Sequence, residues 1–213
     1  MGMTIRIGAP RMSRDPIRAL SQFFGGRLCL DFANTVDWRT SEDPQELIPD
    51  YRTLLRWSEL RVTLPGAAIA RLRASSAKDP AASETALKEA RKFRSEICRV
   101  ASALIEGEAA DLAPVNRRLL AAPPQPRLAK IASGQVHDLP GKQLEEPLWP
   151  ILWSWAALLT SADTARLGTC QAKDCGWFFV DESPNRSRAW CSSEVCGNRE
   201  RARRAYEKKR AAS

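Results

Sequence analysis

Histidine is almost missing from this chain of 213 residues: His137 is the only one, and no nucleophile stands beside it in sequence. There is no HExxH pair, glycine-rich phosphate loop or serine elbow, so the chain shows no catalytic machinery. Long apolar runs are lacking too. The longest, residues 148–159, is interrupted by Pro150 and Ser154 and is too short to span a bilayer. The first twenty residues mix arginine and proline with apolar residues instead of forming a signal-peptide core. Arg6 stands where a myristoylation signal carries serine or threonine. No repeat with a period of 20 to 50 residues is visible. These absences predict a cytoplasmic protein that is not an enzyme and has no membrane partner.

Apolar residues make up 44% and charged residues 27%, which is enough to bury a core and excludes a disordered or collagenous chain. The length suggests one large domain with a small appendage. Lysine and arginine number 33 against 25 acidic residues, a formal +8. Such an excess is a weak sign of an anionic partner by itself, but its distribution is uneven. Residues 198–213 carry seven basic side chains (Arg199, Arg201, Arg203, Arg204, Lys208, Lys209, Arg210) and two acidic ones (Glu200, Glu207).

Leu28, Leu30 and Phe32 alternate with smaller or polar residues, so residues 27–34 are expected to form a short strand or an extended entry into a helix. Helical spacing covers residues 44–57, and Leu64-Pro-Gly66 breaks it. A second short helix is expected at 67–74, then a small, polar loop over 75–83. A long helix follows at 84–107, with a stripe of Leu87, Ala90, Phe93, Ile97, Val100, Ala101 and Leu104. Prolines make 121–126 a turn or an extended connection. Residues 128–139, broken at Ser133-Gly134, read as a β-hairpin that includes His137. Residues 148–166 return to helix. The expectation is an α+β chain that is mainly helical with a small β component up to residue 166.

Six cysteines divide into two kinds. Cys29 and Cys98 lie apart in apolar contexts and read as buried thiols acting as small hydrophobes. Cys170/Cys175 and Cys191/Cys196 form two matched pairs, each with four intervening residues, separated by a fifteen-residue spacer. Neither pair has the Cys-X-X-Cys spacing of a redox dithiol, and nothing in the sequence directs it to an oxidising compartment. Two tight turns aiming two sulfurs each at one point suit a tetrahedral Zn2+ about 2.3 Å from each thiolate. Four thiolates leave no position for water, so the predicted zinc, one per chain, is structural. The order of elements is knuckle, strand candidate at Gly176-Trp-Phe-Phe-Val180, polar turn, second pair, helix. That is the order of a treble-clef-like module, and the domains are set at 1–166 and 167–213.

The run Trp190-Cys-Ser-Ser-Glu-Val-Cys-Gly-Asn-Arg199 closely resembles the signature of the CGNR zinc fingers. Cys170, Cys175 and the following Gly-Trp-Phe-Phe-Val-Asp181 also look like that group. Leu28-Cys-Leu-Asp-Phe-Ala-Asn-Thr-Val36 is similar to the start of the ABATE domain that precedes such fingers. The resemblance implies an α+β domain, a treble-clef finger, and a bacterial stress-induced transcription regulator.

In the helix expected from Gly197 onward, Ala202, Ala205 and Tyr206 share a narrow face that would pack on the finger. Arg199, Arg201, Arg203, Arg204 and Lys208 are then candidates to meet DNA phosphates, with Arg186 and Arg188 of the preceding turn extending the patch. A solvated face, with Glu200 and Glu207 pairing the neighbouring cations, is the alternative. Arg188 and Arg199 have a second possible role, bonding Asp181 or backbone carbonyls to brace the finger. Trp177 and Trp190 read as a small core around the zinc, and Asn198 as a local cap. Near the other end, Asp31, Asn34, Asp37, Trp38 and Arg39 gather polar groups among apolar ones. Asp31, Asn34, Trp38 and Arg39 are candidate ligand-binding residues, against local capping and a salt bridge. The expected partners are DNA, a small-molecule effector and a second copy of the chain as homodimer. Two other functions remain open: an adaptor docking an acidic protein, and an enzyme using Asp31 or Asp37 as a base.

Overall fold

A computed structural model describes residues 20–123, 127–129, 136–138 and 143–212, the two short middle stretches by backbone alone. In chain order the elements are α1 (Leu28–Ala33), β1 (Val36–Asp37), β2 (Gln45–Glu46), α2 (Tyr51–Leu60), α3 (Gly66–Lys78), α4 (Pro80–Glu106) and α5 (Ala113–Ala121). They continue with β3 (Arg127–Ala129), β4 (Val136–Asp138), α6 (Leu148–Leu159), a 3-10 turn (Ala162–Arg166), β5 (Leu167–Thr169) and β6 (Phe178–Val180). One turn of π-helix (Ser193–Gly197) then leads into α7 (Asn198–Ala211). Three antiparallel two-stranded sheets pair β1 with β2, β3 with β4, and β5 with β6. The fold is thus α+β and mainly helical, with a zinc-finger module at its end.

Residues 28–33, expected to be extended, are helical. Their alternation is accidental: Cys29, Leu30, Asp31, Phe32 and Ala33 are all buried, and a helix enclosed on every side carries no stripe to read. α1 sits at the centre, against α4, α6 and β6. Its Phe32 ring lies 5.5 Å from Trp57 of α2 and 6.4 Å from Phe93 of α4. Gly25 lets the chain close onto this helix, since a Cβ there would meet the Leu30 Cβ at 2.7 Å.

Helix caps explain several boundaries. Asp50 accepts the Thr53 N–H at 2.7 Å and starts α2. The expected helix from residue 44 gives way to β2, since in a helix Pro49 would have no N–H to donate and its ring would clash with the carbonyl of Gln45. The loop expected over 75–83 shrinks to one residue. Asp79 accepts the Ala82 N–H at 2.9 Å, and Pro80 opens α4 at a position where its missing N–H costs nothing. α4 ends at Gly107, held at φ +75°. The hairpin expected at 128–139 pairs Leu128 with His137, while Ser133-Gly134 lies outside the described residues.

Several buried charges are paired. Arg94, 6% exposed, donates to Thr35 Oγ1 at 2.9 Å and to Glu46 Oε1 at 2.8 Å, clamping the β1–β2 ribbon to α4. Glu146, fully buried, receives two bonds from Arg71. Cys29 is a buried thiol pushed up to about 12 by burial, and Cys98 is raised by the same cause. No helix is long and apolar enough to cross a membrane among the described residues.

Phe32→Ala should destabilise the chain by about 3–5 kcal/mol, read from urea unfolding with an unchanged m-value. Burial raises the Asp31 carboxyl to about 6, against the lowering effect of Arg61. The native state therefore holds a proton that the unfolded chain releases, and stability from this group falls as pH rises from about 4 to 6. Asp31→Asn removes that loss, so its stability relative to the parent should rise across the same window and level off above it.

Candidate metal centre

The last part of the chain is a hairpin and a helix brought together by sulfur. Cys170 and Cys175 occupy the turn between β5 and β6, where the Cys170 N–H donates to the Trp177 carbonyl at 2.8 Å. Asp174 and Gly176 take left-handed backbone at φ +73° and +64° and bend the knuckle. Cys191 follows the polar turn, and Cys196 lies in the π-helical turn that opens α7. All four Sγ atoms lie within 4.8 Å of one another and all four residues are buried. Cys175 and Cys191 are 3.8 Å apart, Cys191 and Cys196 3.5 Å. A tetrahedron with bonds of 2.3 Å has edges of about 3.8 Å, and a disulfide would need about 2.05 Å. The donor set therefore fits one structural Zn2+ with no place for a water ligand. Hydrogen bonding among the sulfurs lowers Cys170 and raises Cys175 and Cys191. Such a cluster cannot lose all its protons without a cation at its centre.

Gly197, Asn198 and Arg199, the three residues after the last cysteine, have separate tasks. Gly197 leaves room for packing: a Cβ there would meet Arg201 Nη1 and Trp190 Cε3, each at 3.3 Å. Asn198 donates from Nδ2 to the Glu194 carbonyl at 2.8 Å and accepts from Arg201 at 2.6 Å. Arg199 lies over the Trp38 ring at 4.5 Å and reaches the Cys196 sulfur at 3.6 Å. Trp177 is buried, and Trp190 is half-buried against the core. Arg188 donates to the carbonyls of Phe24, Val180, Trp190 and Cys191 and stacks on Phe179, while its backbone N–H meets Asp181. Of the two roles open to Arg188, its side chain takes the brace.

The basic helix differs from expectation in its seating. Ala202, Ala205 and Tyr206 are exposed and do not pack on the finger. The anchor is Glu200, 3% exposed, which accepts the Lys173 N–H at 3.2 Å and pairs with Arg203 at 2.7 Å. Arg203 also pairs with Glu207 at 2.7 Å. From Arg201 onward, α7 stands almost clear of the body. Arg204, Lys208 and the Arg186 side chain have no hydrogen-bond or ion-pair partner among the described residues, and Arg186 is held at φ +51°.

The polar cluster of the first segment is brought to the finger. Asn34 donates to the Phe178 carbonyl and accepts its N–H, both at 2.8 Å. The Arg39 guanidinium lies 4.0 Å over the Phe178 ring, and its backbone N–H donates to Cys175. Trp38, at φ +54°, supports Arg199. The Asp31 oxygens hold the Gly25 N–H and Arg61, at 2.8 and 2.9 Å. Asp37 is buried and accepts the Trp38 N–H. The four residues expected to bind a ligand thus have internal partners, three of them at the finger. Close approach of Gly176 to Thr40, whose Cγ2 would sit 2.6 Å from an added Cβ, also belongs to this joint. A glycine directly after a knuckle cysteine was its only sign in the sequence.

Compared with protein-family models, residues 26–162 match ABATE, described as "Putative stress-induced transcription regulator", and residues 166–209 match the CGNR zinc finger. The chain belongs to the ABATE family. None of the curated proteins searched matches it. In this ABATE protein the finger follows the family domain in chain order, and the four cysteines all fall inside the finger match.

Stripping zinc from this ABATE protein with a chelator should remove folding free energy on the order of 10 kcal/mol from the finger. Far-UV circular dichroism and the fluorescence of Trp177 and Trp190 would report the loss. Arg199→Ala should weaken zinc affinity by about tenfold, measured by transfer to a chromophoric chelator, whereas Arg203→Ala leaves it unchanged.

Proposed function

We propose that this chain is a transcription regulator that binds duplex DNA through α7, with residues 167–213 as the DNA-binding unit. The observation that carries the reading is a helix fixed at its first turn by the zinc cluster and Glu200, with Arg204 and Lys208 beyond it lacking a hydrogen-bond or ion-pair partner among the described residues. Fourteen residues give a rod of about 21 Å, and a major groove about 12 Å wide admits it. At 100° per residue, Arg201, Arg204 and Lys208 share one face. Arg203 is neutralised by two glutamates, and Arg199 serves the finger, so the phosphate contacts fall mainly to Arg204 and Lys208.

Residues 1–166 are then the part that senses an effector or pairs two chains. One short finger makes few base contacts, which favours a dimer on a two-part site. Binding, not catalysis, is the function this reading assigns. Asp31 titrates high because it is buried, yet both its oxygens already have partners.

Fluorescence anisotropy with a mixed-sequence duplex at several salt concentrations tests the proposal. Affinity should fall with salt, and Arg204→Ala with Lys208→Ala should reduce the log–log slope by about two. Salt-independent binding, or a double variant that binds like the parent, would overturn it. Capture of one acidic protein without nucleic acid would favour the adaptor reading instead.

A further inference from the structure

Beside the zinc cluster lies an open concavity of about 440 Å³ between the polar turn and the start of the π-helical turn. Ser183, Ser187, Trp190, Ser192 and Ser193 line it, together with the braced Arg188. A space this size lies in the range of about 300–1,000 Å³ that bound organic groups occupy.

The polar turn is held rigid from inside. Asp181 accepts the N–H and the hydroxyl of Ser183 at 2.8 and 2.6 Å, and the Ser183 oxygen accepts the Ser187 N–H at 3.0 Å. Ser192 caps the π-helical turn by accepting the Val195 N–H. That leaves the hydroxyls of Ser187 and Ser193 without a hydrogen bond among the described residues. No carboxylate lines the concavity, and the nearby Asp181 carboxylate is already held by Ser183 and Arg188.

Two further cations belong to elements that border the space. Arg201 of α7 donates to the Ser193 carbonyl at 3.1 Å and lies 5.8 Å from the Trp190 ring, so α7 and the concavity form one continuous surface. Arg186 belongs to the same polar turn as Ser183 and Ser187, is exposed, and has no side-chain hydrogen-bond or ion-pair partner among the described residues. Its backbone is left-handed at φ +51°, a conformation an arginine adopts at some cost, held here by the turn around it.

We infer that this concavity is a second DNA contact, a seat for one phosphodiester group of the strand bordering the groove that α7 enters. The Ser187 and Ser193 hydroxyls donate to its oxygens, Arg186 supplies the charge, and the Trp190 ring packs against the adjoining deoxyribose. The inference rests on the reading of α7 as the groove-binding helix. Hydroxyl donors and an arginine with no competing carboxylate suit an anion, and the indole face suits the apolar sugar edge.

The test uses the full-length zinc-loaded chain and a mixed-sequence duplex, titrated at several salt concentrations. Arg186→Asn keeps a residue that tolerates left-handed backbone, and it should reduce the log–log salt slope by about one. Ser187→Glu with Ser193→Glu places two carboxylates in the seat and should weaken binding by at least roughly tenfold. Both serines are exposed, and zinc content and circular dichroism check that the fold is kept. If both variants bind like the parent while Arg204→Ala with Lys208→Ala loses affinity, the seat is refuted and the helix reading stands. If none of the three weakens binding, both fall.

Discussion

Everything at the carboxyl end depends on four sulfurs sharing one tetrahedron. Cys170 and Cys175 come from a hairpin turn, Cys191 from the end of a polar loop, and Cys196 from the first turn of a helix. A metal at their common centre turns three unrelated local geometries into one rigid body and gives α7 its direction. Glu200 then fixes the first turn against the knuckle backbone, and the remaining turns need no further support.

The second joint is made without metal. Asn34 offers its amide to both backbone groups of Phe178, as a neighbouring strand would, and Trp177 donates to the Val36 carbonyl at 2.9 Å. On one side Val180 donates to Gly25, and Arg188 reaches Phe24. On the other, Arg199 and Trp38 link the ABATE segment to the sulfur of Cys196. Buried apolar residues run without a break from Leu20 through the helices to Cys196. The helix that meets solvent is thus oriented by residues more than 150 positions earlier in the chain.

Much of this was legible in the sequence, for identifiable reasons. Cysteine spacing is a strong signal because two short loops can aim at one point in few ways, and the zinc site followed from it. The stripe of α4 was readable because that helix has one buried and one wet face. The reading failed where burial was complete or the signal too short. α1 is enclosed all round, so its pattern mimicked a strand, and α5 buries only Val115, too little to show a period. Asp31, Asn34, Trp38 and Arg39 were rightly seen as polar groups among apolar ones. A protein partner within the same chain produces that pattern as readily as a ligand does, and sequence separation conceals it. Likewise the alanine face of α7 looked like a packing surface, but a helix held by one glutamate needs none.

The shared core bears on how such a finger could travel between proteins. A finger whose core was closed by its own residues would be a bead, movable as one continuous piece. Here the bead's inner face is completed by Gly25, Asn34, Trp38, Arg39 and Thr40. The smallest portable unit is therefore discontinuous, a carboxyl-terminal finger with a stretch of the opposite end of the chain, and a graft that carried only the cysteines would arrive with an uncovered phenylalanine strand.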